Sequence, residues 1–205
     1  MSYLEMYNNR VSLTGEIASE PTFSHEIMGE GFYDMLVSVK RLSGQTDVVP
    51  LAVSERLMQG GEFKIGNLIG AIGQLRSYNK LVGDKSKLVL KVFVRELVEP
   101  DFDNPNKIEL IGFVCKPPIY RMTPFGREIA DLLVAVNRAY NKSDYIPVIA
   151  WGRNARYANS FTVGEKITIE GRIQSRIYQK QLEDGSQEDR TAYEVSVSKL
   201  EIVNE

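Results

Sequence analysis

Cysteine, histidine and tryptophan each occur only once in this chain of 205 residues. Cys115 has no second cysteine for an internal disulfide, which agrees with a reducing compartment. It sits in "ELIGFVCK", an apolar, strand-like run where a thiol is ordinarily buried filler. His25 lacks the HxxxH or HExxH company that would hold a metal. No GxxxxGK[ST], GxGxxG or GxSxG segment occurs. The paired Asp101 and Asp103 belong to "EPDFDNPNK", whose composition is that of a linker and not of a cleft. Catalysis is therefore not expected, and no cofactor or metal is expected either. No apolar run approaches the ~18 residues of a membrane span. The opening "MSYLEMYNNR" lacks the basic-then-apolar order of a signal peptide. The expectation is a cytoplasmic chain without a membrane partner.

What the chain does contain is itself, twice. Shifting the sequence so that residue 9 falls on residue 106 brings "NRVSLTG" onto "NKIELIG" and "DMLVSVKR" onto "DLLVAVNR". The alignment needs no gap from residue 9 to residue 57, and Leu13, Gly15, Arg41, Asp47 and Pro50 recur identically. Further on, "GAIGQL" (70–75) meets "TIEGRI" (168–173), and "VFVREL" (92–97) meets "VSVSKL" (195–200). The extra residues of the second copy fall in "QKQLEDGSQEDR", where an insertion is tolerated as a loop. Such a period is too long for a solenoid and fits a duplicated domain. The expected division is 1–100, a linker at 101–105, and 106–205.

Each copy reads as strands between turns. "RVSLTGEI" alternates, with Val11, Leu13, Gly15 and Ile17 on one side. "GFYDMLVSVKR" and "TDVVPLAV" follow, then a short helical slot near "SERLMQG" or "RNARYAN", then two more strands at 66–76 and 88–98. Five strands with one helix between the third and fourth describe an all-β, five-stranded Greek-key barrel, the OB fold, in tandem. A β-sandwich is the competing reading, and the single helical slot favours the barrel.

The second copy's third strand can be read by face, because side chains alternate. Ile146, Val148 and Ala150 suit the barrel interior, leaving Tyr145, Pro147, Ile149 and Trp151 outside. In its fourth strand Ile167, Ile169, Gly171 and Ile173 point inward, and Arg172, Arg176 and Tyr178 point outward. Residues 106–180 hold 12 Lys/Arg against 6 Asp/Glu, although the whole chain carries −2. An outer face of spaced rings and interleaved arginines suits single-stranded nucleic acid, whose bases stack and whose phosphates track cations. Packing at a subunit contact is the other use of such rings.

"NKIELIGFVCKPP", "YRMTPFGREIADLLVAVNRAY", "DYIPVIAWGRNARYA" and "VGEKITIEGRIQSRIY" together resemble the bacterial single-stranded-DNA-binding proteins over roughly residues 106–203. The resemblance implies stacking of bases on Tyr140, Tyr145, Trp151 and Tyr178. It implies phosphate contacts from Arg121, Arg138, Arg153, Arg172, Arg176 and Lys180. It further implies a nucleoid-associated role in replication, recombination or repair, with two chains supplying four barrels as a homodimer. The family's acidic tail, which docks protein partners, has no counterpart after "KLEIVNE", so those partners are in doubt. Two rival readings are a protein-interaction module of a replication or recombination assembly and an RNA-binding OB protein.

The first copy keeps the inside and changes the outside. Val49, Leu51 and Val53 repeat the inward set, whereas Val48, Pro50, Ala52 and Ser54 replace the ring-bearing face. Arg76, Tyr78 and Lys80 in "LRSYNK" occupy a place like Arg176, Tyr178 and Lys180, and Phe32 and Tyr33 lie on the second strand; together they mark a weak accessory contact or an extension of the path held by the second copy. Leu68, Gly70 and Ile72 form an apolar outer face, expected to pack on another barrel, in the same chain or a second one, with Ile111 and Phe113 as candidate partners.

Overall fold

A computed structural model describes residues 7–182 and 185–203, apart from the side chains of Val82 and Lys85. The outermost ends of the two expected domains, and residues 183–184 of the inserted loop, lie outside the described residues. The N-terminal half runs β1 (Asn9–Ile17), β2 (Thr22–Ile27), β3 (Glu30–Lys40), β4 (Thr46–Ser54), α1 (Glu55–Met58), β5 (Leu68–Val82) and β6 (Lys85–Val98). The C-terminal half repeats this order as β7 (Asn106–Val114), β8 (Ile119–Met122), β9 (Glu128–Arg138), β10 (Lys142–Trp151), α2 (Arg153–Ala158), β11 (Lys166–Gln181) and β12 (Gln187–Ile202). In each half the helix lies between the third and fourth barrel strands, as expected of an OB fold. The short hairpin strands β2 and β8 were not expected. Every residue in them is exposed, so they carry no alternation to read.

Each barrel closes through the same pairings. β1 meets β3 and β7 meets β9, while the parallel pairs β4–β6 and β10–β12 supply the Greek-key crossing. Alternation drives this closure: Val49, Leu51, Val53, Ile146 and Ala150 are fully buried and Val148 nearly so. Each such side chain contributes roughly 1.5–3 kcal/mol by leaving water. Strands β5 and β11 each bulge where they pass their partners, after Ile72 and after Glu170. Glycine is required at those bulges, since a Cβ at Gly73 or Gly171 would run into the carbonyl oxygen of Phe93 or Ser196. Beyond the barrels, β5–β6 and β11–β12 extend as long two-stranded arms.

The halves join by edge-to-edge pairing of β1 with β7, antiparallel from Asn9↔Leu110 to Leu13↔Asn106. The pairing is centred on Val11↔Ile108, which are equivalent residues of the repeat, so a pseudo-two-fold axis passes between them. Two reciprocal locks obey the same symmetry. Asp47 accepts a hydrogen bond from the Ser175 N–H (2.9 Å), and Ser175 Oγ accepts one from the Val48 N–H (3.0 Å). Asp144 accepts from the Ser77 N–H (2.7 Å), and Ser77 Oγ accepts from the Tyr145 N–H (2.7 Å). Both carboxylates are fully buried. Each barrel's arm is thereby fastened to the third strand of the other barrel.

This joint revises two expectations. Because Ser77 and Ser175 are equivalent, Tyr78 corresponds to Arg176 and Lys80 to Tyr178, a two-residue shift from the correspondence read in the sequence. The apolar set Leu68, Ile72, Ile111 and Phe113 lies on one side of a single continuous sheet, β5–β1–β7–β11. Side chains on one side of a sheet cannot face each other, so this surface does not pack barrel on barrel within the chain. Leu68 is exposed and the other three are half-buried.

Candidate nucleic-acid interface

Strand β10 delivers two rings to one outer face, as its alternation requires. Tyr145 is 48% exposed and Trp151 36%, with half-buried Pro147 and buried Ile149 between them. Trp151 is the last residue of β10, and Gly152 follows at φ 54°, a left-handed turn that starts α2 without a Cβ penalty. Tyr140 stands at the tip of the β9–β10 hairpin, 95% exposed and itself at φ 60°, with Asn141 at φ 54°. A bulky residue in that region costs of order 1 kcal/mol. The hairpin thus holds a ring in water at an energetic disadvantage.

A groove opens beside Trp151 between the barrels. Its floor is Ile149 and Trp151, and one wall is the base of the β11–β12 arm, with Arg172, Arg176 and Tyr193. Arg121, Thr123 and Arg127 of the β8–β9 hairpin form a second side, and Arg41, Thr46 and Val48 of the N-terminal barrel a third. Its arginines are held differently. Arg41 is clamped by Asp47 (2.5 and 2.6 Å), and that hydrogen bond raises its pKa above the ordinary guanidinium value. Burial, with repulsion from Arg41, pushes Arg172 below the ordinary value. Among the described residues the Arg172 Nε is buried without a hydrogen-bond partner, and Nη2 donates to Gln174 at 3.3 Å. Arg121 pairs with Asp131 at 2.9 Å and Arg176 with Glu194 at 3.7 Å. A partly desolvated guanidinium with spare donors is a seat for an anion.

A second groove continues farther along the arm. Tyr178, Lys180 and Arg190 line it, with Pro147 on β10 and Lys87, Leu88 and Leu90 from the arm of the other barrel. Thr191 and Tyr193 belong to both grooves, so the two form one path across the arm. The Arg176 guanidinium lies over the Tyr178 ring, 5.8 Å from its centroid.

The structure therefore brings Trp151, Arg121, Arg172, Arg176, Tyr178 and Lys180 onto this path. It places Tyr140, Tyr145, Arg138 and Arg153 outside the two grooves. Arg153 is exposed at the start of α2, and Arg138 leans on Asp144 (3.3 Å). Arg76 is taken up structurally: it bonds Asp144 (3.1 Å) and Gln74 (2.5 Å), and burial lowers its pKa. Tyr78 (45% exposed) and Lys80 remain open to solvent. Sequence reasoning missed Arg41, Arg127, Lys87 and Arg190. Arg41 was visible as a recurring residue, but only the fold sets it opposite Arg172. Among the described residues no group of three His, Cys, Asp or Glu side chains could hold a metal. No helix among them is long and apolar enough to cross a membrane.

Residues 105–203 match the model of the single-strand binding protein family. The single-stranded DNA-binding protein of Clostridium tetani is 38% identical over 81 residues, 36% of this chain and 56% of that protein. Single-stranded DNA-binding protein A of Bacillus subtilis is 34% identical over 83 residues, 37% of this chain and 48% of that protein. The chain thus spans about half the length of the curated relatives it matches. The crystal structure of the wild-type single-stranded DNA binding protein from Thermus aquaticus superposes on 96% of this chain and 93% of its own, with a TM-score of 0.75. At 21% identity that likeness is one of fold, and it extends over both barrels.

Proposed function

We propose that this chain, whose C-terminal half matches the single-strand binding protein family model, binds single-stranded DNA in the path across the β11–β12 arm and protects it during replication, recombination or repair. The observation that carries the reading is the convergence of Trp151, Arg121, Arg172 and Arg176 on one groove, continued by Tyr178 and Lys180. Bases of every sequence offer a π-face to Trp151 and Tyr178, and the guanidinium groups meet the phosphates, so binding is tolerant of sequence. A duplex turns its base faces inward and is excluded. Tyr140, Tyr145, Arg138 and Arg153 extend the contact outside the grooves. No step of this function calls for catalysis or a cofactor, and its place is inside the cell, on the nucleoid.

Displacement of a fluorescein-labelled thymine homopolymer, followed by anisotropy, tests this. Unlabelled single strands displace the probe, duplex of equal length does so far more weakly, and RNA separates a DNA binder from an RNA binder. Affinity falls with salt, each neutralised phosphate contributing about 0.7 to the logarithmic slope. Equal competition by duplex overturns the proposal.

We further propose that two copies associate through the outer side of the β5–β1–β7–β11 sheet, where Leu68, Ile72, Ile111 and Phe113 lie together. Four barrels result. Light scattering then returns twice the chain mass of 23.2 kDa, and a clean monomer refutes the assembly.

A further inference from the structure

We propose that the N-terminal barrel carries a stacking platform of its own for single-stranded DNA, moved from β4 to the neighbouring strands β3 and β6. The inference rests on the single-strand reading of the C-terminal barrel. Its ground is an exchange of ring positions between the two halves. In the C-terminal barrel Trp151 on β10 pairs with Ile129, and Ile149 pairs with Ser196 on β12. At the equivalent places of the N-terminal barrel Ser54 on β4 pairs with Phe32, and Ala52 pairs with Phe93 on β6. Where one barrel has its bulk on the third strand, the other has small residues there and rings beside them. The outer face was not stripped; its rings changed strands.

These rings form a connected surface. His25 stacks on Phe32 at 5.1 Å and 11°, and Phe32 lies 5.3 Å from Phe93. Alternation in β6 buries Val92 and Val94 and turns Lys91, Phe93 and Arg95 outward. Arg95 lies over the Phe93 ring at 4.9 Å and Lys91 over the Tyr78 ring at 5.5 Å, contacts of the same kind as Arg176 over Tyr178 but at positions that are not equivalent in the repeat. Phe32 is buried as the base of the cluster, while Phe93 is half-buried and His25 and Tyr78 are exposed. An exposed cation–π contact is weak, because water competes for the cation. A base stacked on the ring outweighs that contact, so the base displaces the guanidinium, which then serves a phosphate.

The occupant is the same strand that crosses the C-terminal barrel. Tyr145 joins the two faces: its N–H donates to Ser77 Oγ, next to Tyr78 on β5. Strand β5 sets Gln74, Arg76 and Tyr78 on the side of the sheet that holds Lys91 and Phe93; Arg76 is held by Asp144, so Lys91 and Arg95 are the cations of this continuation. Lys91 is held by Asp34, a carboxylate on the same surface.

A reporter variant, Trp151→Phe combined with Phe93→Trp, places the chain's only indole in the N-terminal barrel while leaving a ring at position 151. Thymine homopolymer is expected to quench its emission, with salt restoring it. If labelled polymer binds this variant by anisotropy but the indole at position 93 is unmoved, the platform does not exist. If the parent chain fails to bind polymer, the single-strand reading falls first and this inference with it. Phe93→Ala in the otherwise unchanged chain, with its fold checked by circular dichroism, is expected to lose about 5- to 150-fold in affinity. Unchanged affinity there overturns the inference independently of the reporter.

Discussion

Asp144→Ala is expected to lower the unfolding free energy by about 3–5 kcal/mol, the cost of breaking a buried ionic contact from one side. The carboxylate is fully buried and serves three donors: the Ser77 N–H at 2.7 Å, Arg76 at 3.1 Å and Arg138 at 3.3 Å. Truncation leaves Arg76, already depressed by burial, without its counter-charge, and leaves the Ser77 N–H unsatisfied. An exposed ion pair would be worth no more than about 1 kcal/mol, so the size of the loss discriminates between the two descriptions. Asp144→Asn keeps one acceptor oxygen and costs less. Asp47→Ala, at the pseudo-symmetric lock with Ser175 and Arg41, behaves alike. Urea unfolding measures all three. A loss below about 1 kcal/mol for both alanine variants would mean that the locks do not hold the barrels together.

Trp151→Ala and Tyr178→Ala are each expected to weaken binding to thymine homopolymer by about 1–3 kcal/mol, or roughly 5- to 150-fold. Neither side chain belongs to the core. Trp151 is 36% exposed on the floor of one groove and Tyr178 37% exposed on the wall of the other, so truncation leaves the barrel closed. The two rings lie on one path but in different grooves, and their effects are expected to add within about 0.5 kcal/mol. Anisotropy with the labelled polymer gives the affinities, and circular dichroism verifies the fold. Should both variants bind like the parent, the path across the arm is not where the bases stack.

The barrels were legible in the sequence because a closed sheet buries every second residue. Val49, Leu51 and Val53 in one half and Ile146, Val148 and Ala150 in the other show this without any coordinates. The repeat revealed the tandem arrangement, and its register reappears in the pairing of Val11 with Ile108. Legibility ended where the site depends on the placement of one half against the other. Arg41 and Arg172 are distant in sequence and share a groove only because the arm of one barrel lies on the third strand of the other. Arg76 looked like a free cation and is instead the partner of a buried aspartate, a fate that no local pattern announces. Of the N-terminal rings, Phe32 was legible on the second barrel strand, whereas the face of Phe93 was not. Alternation in "KVFVRE" already sets Lys91, Phe93 and Arg95 on one side, but which side faces outward is fixed only by the pairing of Phe93 with Ala52 in the closed barrel.

The central claim is that bases stack on the surface that carries Trp151, and the chain's single tryptophan makes the test direct. Intrinsic fluorescence is followed while thymine homopolymer is added to the full chain at low salt. The expected result is strong quenching that reaches a plateau and is reversed by added salt, as stacking on an indole beside phosphate-binding arginines requires. Emission that stays constant while the polymer is shown to bind by anisotropy would contradict it.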